Sequence, residues 1–178
     1  MSARFGIIGF GFMGQIHEEM IAQRLESAEV VAICDVVAER MGNAVTPGVQ
    51  KCTCADELLA MTQVDVALIA VPNHLHKEMV MKAARAGKDI LCEKPAAMTA
   101  EEFDEMMAEV DRCGVRFTVH QQRRFDKDFQ TIKRAYDEGL VGAPYTIQSK
   151  LHASMATCMT GMSIKNMAVA CCWIGASI

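Results

Sequence analysis

The stretch from Arg4 to Met20 constrains this chain more than any other. Phe5–Phe10 is an apolar run of strand length, Gln15–Leu25 reads as a helix, and Gly9, Gly11 and Gly14 form GxGxxG between them. Each glycine meets a different physical demand. Gly9 permits a tight turn, Gly11 lets a pyrophosphate approach the backbone, and Gly14 lets the helix pack close to the strand. The amides that open the helix, near Phe12 and Met13, turn the positive end of its dipole toward an anion. Glycine turns are common. The strand before this one and the helix after it make dinucleotide binding the expectation.

The second element supports that expectation. Glu29–Val37 is a β-branched run that reaches Asp35. In a βαβ nucleotide unit, an acid about 20 residues after the glycines ends the second strand and accepts the ribose hydroxyls. It also repels a 2′-phosphate, which favours NAD, while the nearby Arg40 leaves NADP open. Asp35 has a second reading as a helix cap, because Val36–Met41 looks helical. Cys52 and Cys54 form CxC, but no second pair has metal-ligand spacing, so no metal site is expected there or elsewhere. A short strand or loop before an Asp56–Met61 helix accounts for them.

Val64–Val71 (VDVALIAV) is a continuous apolar run, as in a parallel strand buried on both faces. Pro72 and Asn73 stop it and cap a helix over His74–Ala86, which Gly87 ends. His74 and His76 sit at that helix start. They are either surface histidines or ligand-facing groups, since open α/β sheets bind ligands at the carboxyl ends of their strands. Asp89–Cys92 is the next strand, followed by Glu93, Lys94 and Pro95. A lysine there can hold a substrate hydroxyl or shuttle its proton, or belong to a solvated turn. Thr99–Cys113 is an acidic amphipathic helix with a capping box at Thr99 and Glu102. Gly114 closes it, and Val115–His120 is a strand.

Strand and helix therefore alternate to about residue 120, which predicts a doubly wound parallel sheet over residues 1–120. Gln121–Phe125 leaves that sheet. Asp128–Glu138 is a helix ended by Gly139, and Tyr145 to about Leu151 is a strand. Residues 121–150 read as the start of a second domain.

Composition excludes several classes. The 178 residues carry a net charge of −4, so there is no basic footprint for nucleic acid. No apolar run approaches the about 20 residues of a membrane span. No signal peptide is evident at the N-terminus, so the eight cysteines are expected to be reduced thiols of a cytoplasmic protein.

The order of motifs resembles the glucose-fructose oxidoreductase / inositol dehydrogenase (Gfo/Idh/MocA) family. The matching residues are GIIGFGFMG (6–14), Asp35, VPNHLHKE (71–78), AGKDILCEKP (86–95), QQRRFDKD (121–128) and EGLVGAPYTIQSK (138–150). That resemblance implies an NAD(P)-binding Rossmann domain followed by an α+β substrate domain. It implies hydride transfer between nicotinamide and a carbinol carbon of a sugar, polyol or related molecule, in a homo-oligomeric enzyme. Gly9, Gly11, Phe12, Met13 and Gly14 would hold the pyrophosphate, and Asp35 the ribose. Pro72, Asn73, His76 and Glu93 would line the nicotinamide half, with Lys94 as the active-site lysine. Gln121 and Arg124 would stand at the mouth between the domains.

The resemblance stops near residue 150. Residues 151–178 contain no Asp or Glu, four of the 14 methionines, three of the eight cysteines and the only tryptophan, Trp173. Met and Trp have single codons, so part of a shifted reading is forced. Met155-Ala156 gives Gly, Met159-Thr160 gives Asp, Met167-Ala168 gives Gly, and Cys171-Cys172-Trp173-Ile174 gives Leu-Leu-Asp. With permitted codons elsewhere, residues 153–178 read VHGNMHDWNVHKEYGGGMLLDWGVH. Its end resembles the family's glycine run followed by LLDxGxH, whose acid and histidine serve the active site. Residues 151–178 are therefore expected to be an out-of-frame tail. A chain without that Asp/His pair is expected to bind NAD and to turn over little or no substrate. A non-catalytic dinucleotide-binding module and a non-functional truncated product are the alternatives.

Overall fold

Aliphatic runs bounded by glycine, proline and asparagine alternate along this chain with helical segments, and that alternation builds a parallel sheet. The computed structural model describes residues 2–148. The strands are β1 (Ala3–Ile8), β2 (Ala28–Cys34), β3 (Gln50–Cys52), β4 (Val66–Ile69), β5 (Asp89–Cys92) and β6 (Phe117–Val119). They lie in the order β3-β2-β1-β4-β5-β6. Every neighbouring pair is parallel. The connections carry α1 (Phe12–Arg24), α2 (Ala55–Leu59), α3 (His76–Arg85) and α4 (Ala100–Cys113). Two 3₁₀ helices, η1 (Ala38–Asn43) and η2 (Asn73–Leu75), precede β3 and α3. This is the doubly wound order of a Rossmann domain, with its switch point between β1 and β4.

The core explains why the strands read as continuous apolar runs. Ile7, Ile33 and Leu68 pack with Phe10, Ile21 and Met41 on one face of the sheet. Their chain neighbours Ile8, Cys34, Ala67 and Ile69 pack with Leu58, Val80, Ala83, Met106 and Val110 on the other. Successive residues of a strand point to opposite faces, so a strand covered on both sides has no polar positions. At the amino ends of the strands, Arg4 pairs with Asp65 at 2.6 Å and Arg116 with Asp89 at 2.5 Å. These exposed pairs hold Asp65 at about 2 and lower Asp89, but solvent screening keeps their contribution to stability small.

Local chemistry sets the helix ends. Thr99 Oγ1 accepts the Glu102 amide at 3.2 Å, while Glu102 Oε2 reaches back to the Met98 amide at 3.0 Å. The expected capping box thus forms with its second arm one residue earlier. Gly114 ends α4 in the left-handed conformation at φ 69°. Three expectations need correction. The helix placed at Val36–Met41 is the 3₁₀ helix η1, starting two residues later. Asn73 makes no side-chain cap. Leu75 instead donates its amide to the Pro72 carbonyl at 2.8 Å, a tight turn that delays α3 to His76. Tyr145–Gln148 form no strand, since a strand needs a ladder partner and no described residue pairs there. The rest of that expected strand, and the whole tail 151–178, lie outside the described residues.

The described residues divide into two units, one up to Gln130 and one from Thr131. The first holds the whole sheet and, past β6, the 3₁₀ helix η3 (Gln122–Phe125). Helix α5 (Lys127–Asp137) begins in the first unit and ends in the second. Gly139 and Gly142, both at positive φ, close the turn that follows it. No helix among the described residues is long and apolar enough to cross a membrane.

Candidate functional site

The carboxyl ends of β1, β2, β4 and β5 carry most of the residues that the sequence singles out, and the glycine turn stands at their centre. Gly9 sits at φ +93°, and a Cβ there would lie 2.6 Å from the Ala70 carbonyl oxygen at the end of β4. A Cβ on Gly14 would lie 2.1 Å from the Gly9 carbonyl oxygen. The protein's own backbone therefore requires both glycines. Gly11 differs, because nothing lies within 4 Å of where its Cβ would be. Its surface is open to a ligand. The amides of Phe12, Met13 and Gly14 are the first of α1 and have no acceptor within the helix. The first turn of α1 carries no acidic residue to compete for them. Open backbone at Gly11 beside a free helix N-terminus fits a pyrophosphate.

Asp35 follows β2 and is wired to this turn. Its Oδ2 accepts the Phe10 amide at 2.8 Å, and its Oδ1 accepts the Val37 amide at 2.8 Å. The bond to Val37 is the local capping bond; the bond to Phe10 ties the strand end to the glycine turn. Arg40 Nη1 stands 3.4 Å from Oδ1. A carboxylate has about four lone-pair sites, so each oxygen keeps capacity for a ribose hydroxyl.

Beyond β4, Pro72 and Asn73 are exposed, so the Asn73 amide is free to meet a ligand. His76 does not line the crevice as expected. It is 0% exposed, with Nδ1 2.7 Å from the Pro95 carbonyl oxygen and Nε2 2.9 Å from that of Val71. Both ring nitrogens face backbone carbonyls, and a neutral imidazole, with one N–H, donates to one of them.

Glu93 is also buried, at 5% exposure, directly before the exposed Lys94. Its Oε1 lies 2.8 Å from Nε2 of His17 on α1 and 2.8 Å from Nδ1 of His120 after β6. Its Oε2 accepts the Lys94 amide at 3.1 Å. Burial pushes this carboxyl upward, but hydrogen bonds from His17, His120 and the Lys94 amide outweigh it and hold Glu93 at about 2. Two histidines far apart in the sequence thus meet at Glu93, and no motif includes either of them. His17 lies one helical turn beyond Gly14, and His120 ends a strand. Gln121 and Arg124 are exposed and lie at the start of η3, where the Arg124 amide donates to the Gln121 carbonyl at 3.1 Å. No hydrogen bond joins their side chains to the crevice residues described.

Comparison with known proteins places this geometry. Residues 3–121 match the Gfo/Idh/MocA oxidoreductase family with an NAD-binding Rossmann fold. The inositol 2-dehydrogenase of Klebsiella pneumoniae subsp. pneumoniae is 35% identical over 152 residues, which are 83% of this chain and 45% of that protein. The myo-inositol 2-dehydrogenase of Thermotoga maritima is 32% identical over 147 residues, 82% of this chain and 44% of that protein. Among solved structures, the scyllo-inositol dehydrogenase of Lactobacillus casei with bound NAD(H) and scyllo-inositol superposes with a TM-score of 0.74 at 26% identity. It covers 80% of this chain and 43% of its own. The WlbA dehydrogenase of Bordetella pertussis, in complex with NADH and UDP-GlcNAcA, gives 0.74 at 31% identity, over 80% and 44%. This chain spans less than half the length of these relatives. With its glycine turn and parallel sheet inside the matched region, the chain belongs to the Gfo/Idh/MocA family of NAD-binding oxidoreductases.

Proposed function

We propose that this chain supplies the cofactor half of an NAD-dependent dehydrogenase that moves a hydride between nicotinamide and a sugar, polyol or related carbinol. One observation carries the reading. The only glycine of the turn with open space over it, Gly11, faces outward beside the free amides of α1, and Asp35 is bonded into the same turn. When bound, the nicotinamide supplies the two-electron carrier. The amides of Phe12, Met13 and Gly14 hold the pyrophosphate. Asp35 accepts the ribose hydroxyls and opposes a 2′-phosphate. Arg40, the cation that would welcome that phosphate, is already beside Asp35, which favours NAD over NADP. Pro72 and Asn73 border the nicotinamide side. Lys94 holds the substrate hydroxyl at Nζ and passes its proton. Gln121 and Arg124 contribute to the substrate side. Inositol-like polyols are the first substrates to test, because relatives that cover most of this chain are named for inositol.

Residues 1–178 alone cover about 45% of such a relative. We propose that this stretch binds NAD and turns over little or no polyol, with residues 1–120 as the cofactor domain and 121–150 opening the substrate domain. Titrating the purified chain with NADH, followed by its fluorescence, tests the binding. Absence of saturable binding would refute it. NADH formation from NAD and myo- or scyllo-inositol tests the second part, and ordinary turnover would overturn it. Sequencing the coding DNA across codon 150 tests the out-of-frame tail.

A further inference from the structure

Lys94 is exposed, yet the backbone on both sides of it is gripped from below by three histidines. We propose that His17 and His120, through Glu93, and His76, through Pro95, are positioning residues that fix Lys94 at the crevice. The inference rests on the reading of Lys94 as the residue that meets substrate.

The geometry points to a clamp with two jaws. In the first, Glu93 Oε1 is shared by His17 Nε2 and His120 Nδ1, each at 2.8 Å, and Oε2 takes the Lys94 amide at 3.1 Å. An ionised carboxylate only accepts, so each imidazole donates through the nitrogen that faces it. In the second, His76 Nδ1 and Nε2 lie 2.7 and 2.9 Å from the Pro95 and Val71 carbonyl oxygens, and the Nδ1–H tautomer donates to Pro95. The Lys94 amide and the Pro95 carbonyl are therefore both held, and they set the direction in which the Lys94 side chain leaves the backbone. His17 rides on α1, the helix whose first turn opens at the glycines, so one carboxylate links the phosphate cradle to the lysine. A buried carboxylate is costly, and apolar residues of similar size often stabilise a site as well. Retaining Glu93 at the ligand-binding edge argues for orientation rather than packing.

A divalent cation is the rival occupant. Among the described residues, His17, Glu93 and His120 are the group whose donor atoms all lie within 4.8 Å of one another. The 2.8 Å separations are those of charge-assisted N–H···O bonds with a proton in place. A cation would have to displace both protons.

Amide hydrogen exchange and long-range proton–nitrogen NMR on the full chain, without cofactor, decide the matter. The expected spectrum shows His17 as the Nε2–H tautomer and His120 as the Nδ1–H tautomer. His17→Ala and His120→Ala should each speed exchange of the Lys94 amide by about tenfold or more. The amides of Val45 and Thr46 are the internal control, because Glu18, beside His17 on α1, accepts both. They should stay within about twofold. Should His17→Ala fail to fold, His17→Gln keeps a donor and should leave Lys94 protected within about threefold. Unchanged Lys94 exchange would overturn the proposal, as would equal acceleration at Val45 and Thr46, which would mean that α1 as a whole had moved. Opposite tautomers would overturn it, and so would stoichiometric Zn²⁺ binding that His17→Ala abolishes. None of these readouts needs NAD, so a failure to bind cofactor and a failure of the clamp are told apart.

Discussion

Asp35 and Glu93 stand at the carboxyl ends of two parallel strands on either side of the switch point, both buried and both hydrogen-bonded three ways or nearly so. Their partners differ. Asp35 receives two backbone amides, one from the glycine turn, and a loose contact from the exposed Arg40. Glu93 receives two imidazoles and one amide, all at close range. Two backbone amides take one lone pair on each Asp35 oxygen, so each oxygen keeps capacity for a further donor. Side-chain donors from two other elements surround Glu93, so it serves the protein. The same functional group keeps accepting capacity on one strand and is an internal tie on the next, and the donors around it decide which.

The comparison breaks most sharply at Glu93. Glu93→Ala leaves two imidazoles without their acceptor and should lower unfolding free energy by about 3 kcal/mol or more in denaturant titration. Glu93 also gives the wild-type chain an acid limb. Its carboxyl is lowered from 4.5 to about 2 in the folded state, so its contribution is complete above about pH 4.5 and is lost as pH falls toward about 2. That loss is roughly 3 kcal/mol. Urea midpoints measured across that window should show it, and Glu93→Gln should flatten it.

Asp35 should respond in the opposite order. Asp35→Ala is expected to weaken NADH about 30-fold in fluorescence titration, as two hydrogen bonds to a charged acceptor disappear. It should also narrow the preference for NAD over NADP, because Arg40 is released. Its cost in stability, about 2 kcal/mol, comes from the Phe10 and Val37 amides. The smallest change separates ligand from fold altogether. Gly11→Ala meets nothing within 4 Å, so stability should stay within about 0.5 kcal/mol while NADH binding falls about tenfold. A Gly11→Ala chain that binds NADH normally would remove Gly11 from the site.

Much of this was legible in the residues because it is local. GxGxxG, β-branched runs and a capping box each act within a few positions, and they place β1, β4, β5 and α4 within a residue or two and α1 within three. Distance from the glycines and the ends of the apolar runs put Asp35 and Lys94 just after strands, where the structure has them. The misses are of another kind. Asn73 reads as a cap, but the Pro72 carbonyl took the bond first. Tyr145 begins a strand only if something pairs with it. His76 reads as a surface or ligand-facing group, and the resemblance puts it on the nicotinamide side, whereas its ring is buried against two carbonyls.

The sequence by itself determined the alternation of strand and helix, the positions where only glycine fits a turn, and thereby the family. Steric limits and hydrophobic period act between neighbours in the chain. Only the tertiary structure decided which polar groups meet: Glu93 finds His17 across 76 residues and His120 across 27. No periodicity encodes such a meeting. It exists because a parallel sheet gathers the carboxyl ends of distant strands at one edge, where burial then makes each unmatched charge costly and each donor decisive.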